Sequence, residues 1–106
     1  MKNLYLVLAL AALSVPATAF SAGDVEALFK EKKCAACHKL DDKKVGPTLK
    51  DIAAKYAGNS DAQASLEKKV RTGGSGVWGK MPMPRTADSV SDAEIKAMVE
   101  WMLSHK

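Results

Sequence analysis

Apolar residues recur along this chain at helical spacing, and no stretch alternates with period two for long enough to form a strand. The clearest stripe is Ile95, Met98, Val99, Met102 and Leu103, at i, i+3, i+4, i+7 and i+8, which is the core-facing edge of an amphipathic helix. Ser91 and Glu94 stand ahead of it at capping-box spacing, with Val90 placed to staple against Ile95. Val25, Leu28 and Phe29 predict a short first helix, opened by Gly23-Asp24 and running into Lys30 to Lys33. Leu49, Ile52, Ala53 and Tyr56 predict a second, ended by Gly58. Leu66 and Val70 predict a third, with Ser60 and Gln63 as its capping box and Gly73-Gly74 as its stop. The stretch Thr72 to Ser89 then gathers Gly73, Gly74, Gly76, Gly79, Pro82 and Pro84. A loop of that length in a small domain is usually functional. The expected fold class is all-α.

Ahead of the first helix, Leu4 to Leu13 is almost wholly aliphatic after the charge at Lys2. The run is too short to span a bilayer and leads to the small-residue stretch Ala17-Thr18-Ala19, the proportions of a secretory signal. Residues 1–22 are read as a cleaved signal peptide, with cleavage after Ala19 or Ala22, and 23–106 as a single domain. Cleavage after Ala19 fits the small-x-small rule, whereas cleavage after Ala22 places Phe20 where bulk is poorly tolerated. An uncleaved anchor helix is the alternative; after cleavage no stable membrane insertion is expected.

Length and charge narrow the picture further. At 106 residues there is room for one domain, which excludes a multidomain enzyme. A domain this small buries a low fraction of its surface and commonly needs a metal, disulfide or cofactor to complete its core. Lys and Arg number 16 against 12 Asp and Glu, and Lys2 leaves with the signal. No basic stripe with interleaved aromatics is present, so nucleic acid is not an expected partner.

The sharpest chemical signal is Cys34-Ala35-Ala36-Cys37-His38. Two thiols at this spacing can form thioether bonds to the vinyl groups of a haem while the adjacent imidazole ligates its iron. A disulfide-exchange site also uses this cysteine spacing but normally sits beside a βαβ pattern, which is lacking here. Zinc would need Cys34, Cys37, His38 and the remote His105, a poor tetrahedral set. A structural disulfide over two intervening residues would close a tiny loop and stabilise little. One haem c, covalent through Cys34 and Cys37, is the expected cofactor.

Whatever fills the sixth position of a His38-bound iron decides between electron transfer and ligand chemistry. Met98 and Met102 lie on the core stripe and read as packing. His105, beside the carboxy terminus, reads as frayed and solvated. In Met81-Pro82-Met83-Pro84, Met83 stands between two prolines whose fixed φ limits its swing, which makes it the preferred ligand. Met81 reads as an apolar contact to the porphyrin edge. Six lysines, Lys30, Lys32, Lys33, Lys39, Lys43 and Lys44, bracket the motif. They read either as a positive rim steering acidic redox partners or as an ordinary solvated face.

These residues, taken with Val45-Gly46-Pro47, the run Lys50 to Gly58, Gly76-Val77-Trp78-Gly79 and Met83-Pro84, resemble the short bacterial class I cytochromes c of the c-551 type over nearly the whole mature chain. The resemblance implies about four helices wrapped around one haem, and one-electron carriage in the periplasm without enzymatic activity. It implies axial ligation by His38 and Met83, with the Pro47 carbonyl orienting His38 and Trp78 reaching a haem propionate. Arg71 or Lys69 could meet a propionate too, with a solvated arginine the alternative. Implied partners are periplasmic redox proteins such as nitrite reductase, a terminal oxidase or cytochrome c peroxidase, met by a monomer. A five-coordinate haem protein, acting as gas sensor or peroxidase, is the alternative if no methionine binds iron. The chain departs from the family where an Asn often follows the methionine: here stand Arg85 and Thr86, in a run to Ser91 longer than usual.

Overall fold

The computed structural model describes residues 20–42 and 45–105. The predicted signal up to Ala19, and Lys43 and Lys44 of the lysine group, lie outside the described residues. Four α-helices follow in order: α1 (Ala22–Glu31), α2 (Leu49–Lys55), α3 (Ala62–Thr72) and α4 (Asp92–Leu103). A single 3-10 turn, Cys34–Ala36, sits between α1 and α2. No strand occurs among the described residues; the one extended pairing is an isolated antiparallel bridge between Gly74 and Met83.

Each helix begins where a side chain or carbonyl can take up its unpaired N–H groups. Ser21 accepts from the Asp24 N–H to open α1, and Thr48 accepts from the Asp51 N–H to open α2. At α4 the expected capping box is formed in both directions between Ser91 and Glu94. The backbone N–H of Ser91, donated to the Glu94 carboxylate, is the main influence holding that carboxyl below its usual range. Val90 and Ile95 are both buried, as the staple requires.

The start of α3 differs from expectation. Its N-cap is Asp61, without a side-chain bond, and Ser60 with Gln63 does not form a capping box. Asn59 instead accepts from the Asp61 N–H at 2.9 Å, while the Gln63 amide donates to Glu67 and to the Lys96 carbonyl on α4. Gln63 therefore ties two helices together, and the local turn of Asn59 does the work of entry.

Helix α4 is the hub. It packs against α1, α2 and α3, and those three pack on it rather than on one another. Its Ile95, Met98, Val99 and Met102 join Val25, Leu28, Phe29, Leu49, Ile52 and Leu66 in one core. The end of α1 is unusual, because Lys33 holds φ 65° and ψ 14°, the left-handed conformation that lets the chain turn into Cys34. A side chain there costs about 1–2 kcal/mol, partly offset by the extra chain entropy a glycine would lose. Lys33→Gly is expected to raise the stability of the holoprotein by about 0.5–1 kcal/mol. Denaturant unfolding checks this, and a destabilised variant would contradict the assignment.

Candidate functional site

The segment after the first cysteine is zipped, residue by residue, to the segment that opens α2. The Gly46 N–H donates to the Cys37 carbonyl at 2.9 Å and the Leu49 N–H to the Lys39 carbonyl at 2.8 Å. Between them lies a 2.8 Å contact of His38 Nδ1 with the Pro47 carbonyl oxygen. A carbonyl only accepts, so Nδ1 carries the proton and Nε2 keeps a lone pair for a metal. The chain can run this close to the imidazole because residue 46 has no side chain: a Cβ there would stand 2.7 Å from His38 Cε1 and 3.0 Å from Nδ1. Thr48, 4% exposed, completes the device by capping α2 from within the core. Neither Thr48 nor the contact role of Gly46 was evident in the sequence, although a Ser/Thr three residues before Asp51 is a capping signal.

Cys34, Cys37 and His38 line one wall of an apolar cavity. Both cysteines are half-buried, and burial is the main influence pushing the Cys34 thiol above its ordinary value. That is the reverse of what a thiol-exchange nucleophile needs. Phe29, Leu66, Met98 and Val99 form the cavity's deep side, consistent with a packing role for Met98; Met102 lines it too.

The loop between α3 and α4 supplies further lining through Trp78, Met81 and Met83. It is more ordered than its composition suggests. Gly74 and Met83 exchange two backbone hydrogen bonds, 3.0 Å and 2.8 Å, and the Gly76 N–H closes a tighter turn onto the Gly79 carbonyl at 2.8 Å. Met83 is half-buried on this bridge, whereas Met81 is 69% exposed. The ammonium of Lys55, at the end of α2, stands 5.4 Å from the Trp78 ring and 5.9 Å from that of Tyr56. Among the described residues the Trp78 indole N–H makes no protein hydrogen bond.

Two sequence expectations change. Arg71 does not face the cavity as a cation for a propionate: its guanidinium donates to the Ala87 and Val90 carbonyls and pairs with Asp92. Lys69 is the cation that lines the cavity. His105 is neither frayed nor fully solvated, since its Nδ1 lies 2.7 Å from the Trp101 carbonyl and its ring stacks edge-on against Trp101. Of the lysines beside the motif, Lys30 pairs with Glu26, and Lys32 lies near Glu31 and Glu94. Lys33 and Lys39 are exposed without a carboxylate partner among the described residues.

Paired thiols beside an apolar cavity, an imidazole with one nitrogen committed, and methionines on the same cavity make a donor set that fits a haem. Comparison with known proteins agrees. The Cytochrome c family matches residues 22–106. Cytochrome c-551 of Pseudomonas aeruginosa is 51% identical over 85 residues, 80% of each chain. Cytochrome c-552 of Hydrogenobacter thermophilus is 53% identical over 81 residues, 76% of this chain and 81% of the relative. The crystal structure of wild-type Nitrosomonas europaea cytochrome c552 superposes with a TM-score of 0.72 at 51% identity, covering 76% of this chain and 99% of that one. The chain therefore belongs to the cytochrome c family, as a small all-α class I monohaem electron-carrier cytochrome with one haem c attached through Cys34 and Cys37.

Proposed function

We propose that this cytochrome is a periplasmic one-electron carrier of a respiratory chain, with His38 and Met83 as the axial ligands of its iron. The observation that carries the ligand assignment is the Gly74–Met83 bridge, which fixes the backbone of Met83 beside the cavity while Met81 stays largely exposed. Bound haem supplies the one-electron iron couple. The protein's part is to hold both ligands still. His38 is oriented through Nδ1 by the Pro47 carbonyl, and a thioether paired with an imidazole raises the potential. Trp78 and Lys69, both lining the cavity, are the residues assigned to the haem propionates.

Export follows from the amino-terminal signal pattern. Cleavage after Ala19 keeps Ser21, whose hydroxyl caps α1, and a cap of this kind is worth about 1 kcal/mol. The expected partners are periplasmic redox proteins, with nitrite reductase, a terminal oxidase and cytochrome c peroxidase as candidates, met transiently by a monomer near Lys33 and Lys39. The ligand assignment is tested by the weak sulfur-to-iron charge-transfer band of the oxidised protein. Met83→Ala is expected to abolish that band and Met81→Ala to leave it. The opposite pattern would transfer the ligand role to Met81.

A further inference from the structure

The segment that follows Met83 is fastened back onto the last turn of α3, and one residue makes most of the ties. Arg71 Nη1 donates to the Ala87 carbonyl at 2.9 Å, and Nη2 donates to the Val90 carbonyl and to Asp92 Oδ1, both at 2.7 Å. The Arg71 carbonyl itself accepts from the Thr86 N–H at 3.2 Å. Thr86 adds a 2.7 Å bond from its hydroxyl to the Val70 carbonyl. Both of those carbonyls belong to the last turn of α3, where no intrahelical donor remains, so the loop caps the helix as the helix holds the loop.

These ties hold the chain on the carboxy-terminal side of Met83. Met83 is itself held at both its N–H and its carbonyl by the Gly74 bridge, and beyond Arg85 the chain is pinned by Thr86, Ala87 and Val90. The Arg71 side chain is only 25% exposed, though its partner Asp92 is 97% exposed. The ion pair alone is therefore worth little, and the two carbonyl contacts carry the function. Arg85 takes no part, since it turns outward to Asp88.

We propose that Arg71 is a positioning residue for the axial methionine: by latching the returning segment to α3, it keeps the Met83 thioether from yielding its place to small external ligands. The proposal rests on the assignment of Met83 as a ligand. With the latch intact, an external ligand must wait for the loop to open, and its apparent affinity is reduced by the small fraction of open molecules. Removing the guanidinium raises that fraction without removing any group that touches the iron.

The test is an imidazole titration of the ferric holoprotein, with far-UV circular dichroism to confirm intact helices. Arg71→Ala is expected to bind imidazole about tenfold more tightly than the unaltered protein while keeping its helical signal and, without imidazole, its sulfur band. Arg71→Lys, whose single ammonium cannot reproduce the fork to two carbonyls, should fall between them. Imidazole affinity unchanged in Arg71→Ala would overturn the proposal. If that variant does not fold, unchanged affinity in Arg71→Lys overturns it equally. Met83→Ala separates the two readings: a sulfur band that survives there refutes the ligand assignment, whereas its loss alongside unchanged affinity in the Arg71 variants refutes the latch alone.

Discussion

Without its haem, the mature chain is expected to lose most of its helical circular dichroism and its cooperative unfolding transition. The helices have 10, 7, 11 and 12 residues, and isolated helices shorter than ~12–15 residues are marginal in water. Each must therefore be held by packing. Yet α1, α2 and α3 each find α4 and not one another, and the space they leave is lined by Phe29, Ile52, Leu66, Met98, Val99 and Met102. These are also members of the core cluster. Leaving that lining to water opposes burial at roughly 25 cal/mol per Å² over the surfaces that should join the helices. With haem bound, those surfaces would meet porphyrin, and thioethers at Cys34 and Cys37 would anchor the 3-10 turn beside α1 and the residue that caps it. The measurement is far-UV circular dichroism and thermal melting of a Cys34→Ala/Cys37→Ala chain freed of haem. A helical signal equal to that of the holoprotein, with a cooperative melt, would show that the helices need no such centre.

What could be read in the sequence was whatever has a period or a local signature. The α4 stripe, the Ser91–Glu94 box, the Gly73 stop and the five-residue haem motif are of this kind, and each stands where it was expected. Pro47 also lies where the family resemblance put it, against His38 Nδ1. The features that escaped depend on residues far apart. Arg71 looks like a surface cation until Ala87 and Val90 are brought beside it, and no pattern within α3 announces that. Gln63 has the right spacing for a cap, but the Lys96 carbonyl on α4 competes for its amide and wins. The Gly74–Met83 bridge is a single pair, too short to show alternation. Lys33 in a left-handed conformation runs against its own preference, and only the need to turn α1 into the cysteines explains it. The substitution of Arg85 and Thr86 for the family's usual Asn is partly explained: Thr86 serves α3, and Arg85 pairs with Asp88 in the lengthened run.

Gly73→Ala is expected to be the most damaging single methyl that can be added to this protein. Gly73 is the C-cap of α3, buried, with φ 68° and ψ −162°, a region essentially reserved for glycine. A Cβ there would overlap the Met83 carbonyl oxygen and stand 2.8 Å from both the Arg85 nitrogen and the Pro84 carbonyl carbon. All three are backbone atoms of the segment that carries the methionine, so nothing can swing aside. Backbone strain and overpacking each cost about 1–3 kcal/mol, and together about 3 kcal/mol or more is expected. In a domain of this size that lowers the thermal midpoint by roughly 10 °C or more. Because the displaced segment is the one bridged to Gly74, the sulfur band should fade at temperatures where the helices persist. Gly74→Ala is the informative comparison. Its φ of 131° is also strained, but the atom a Cβ would meet, at 2.8 Å, is the Lys69 ammonium nitrogen at the tip of a flexible side chain. That group can move, so Gly74→Ala should cost distinctly less. Equal losses in the two variants would mean that the left-handed backbone alone sets the cost, and that contact with the Met83 segment adds nothing.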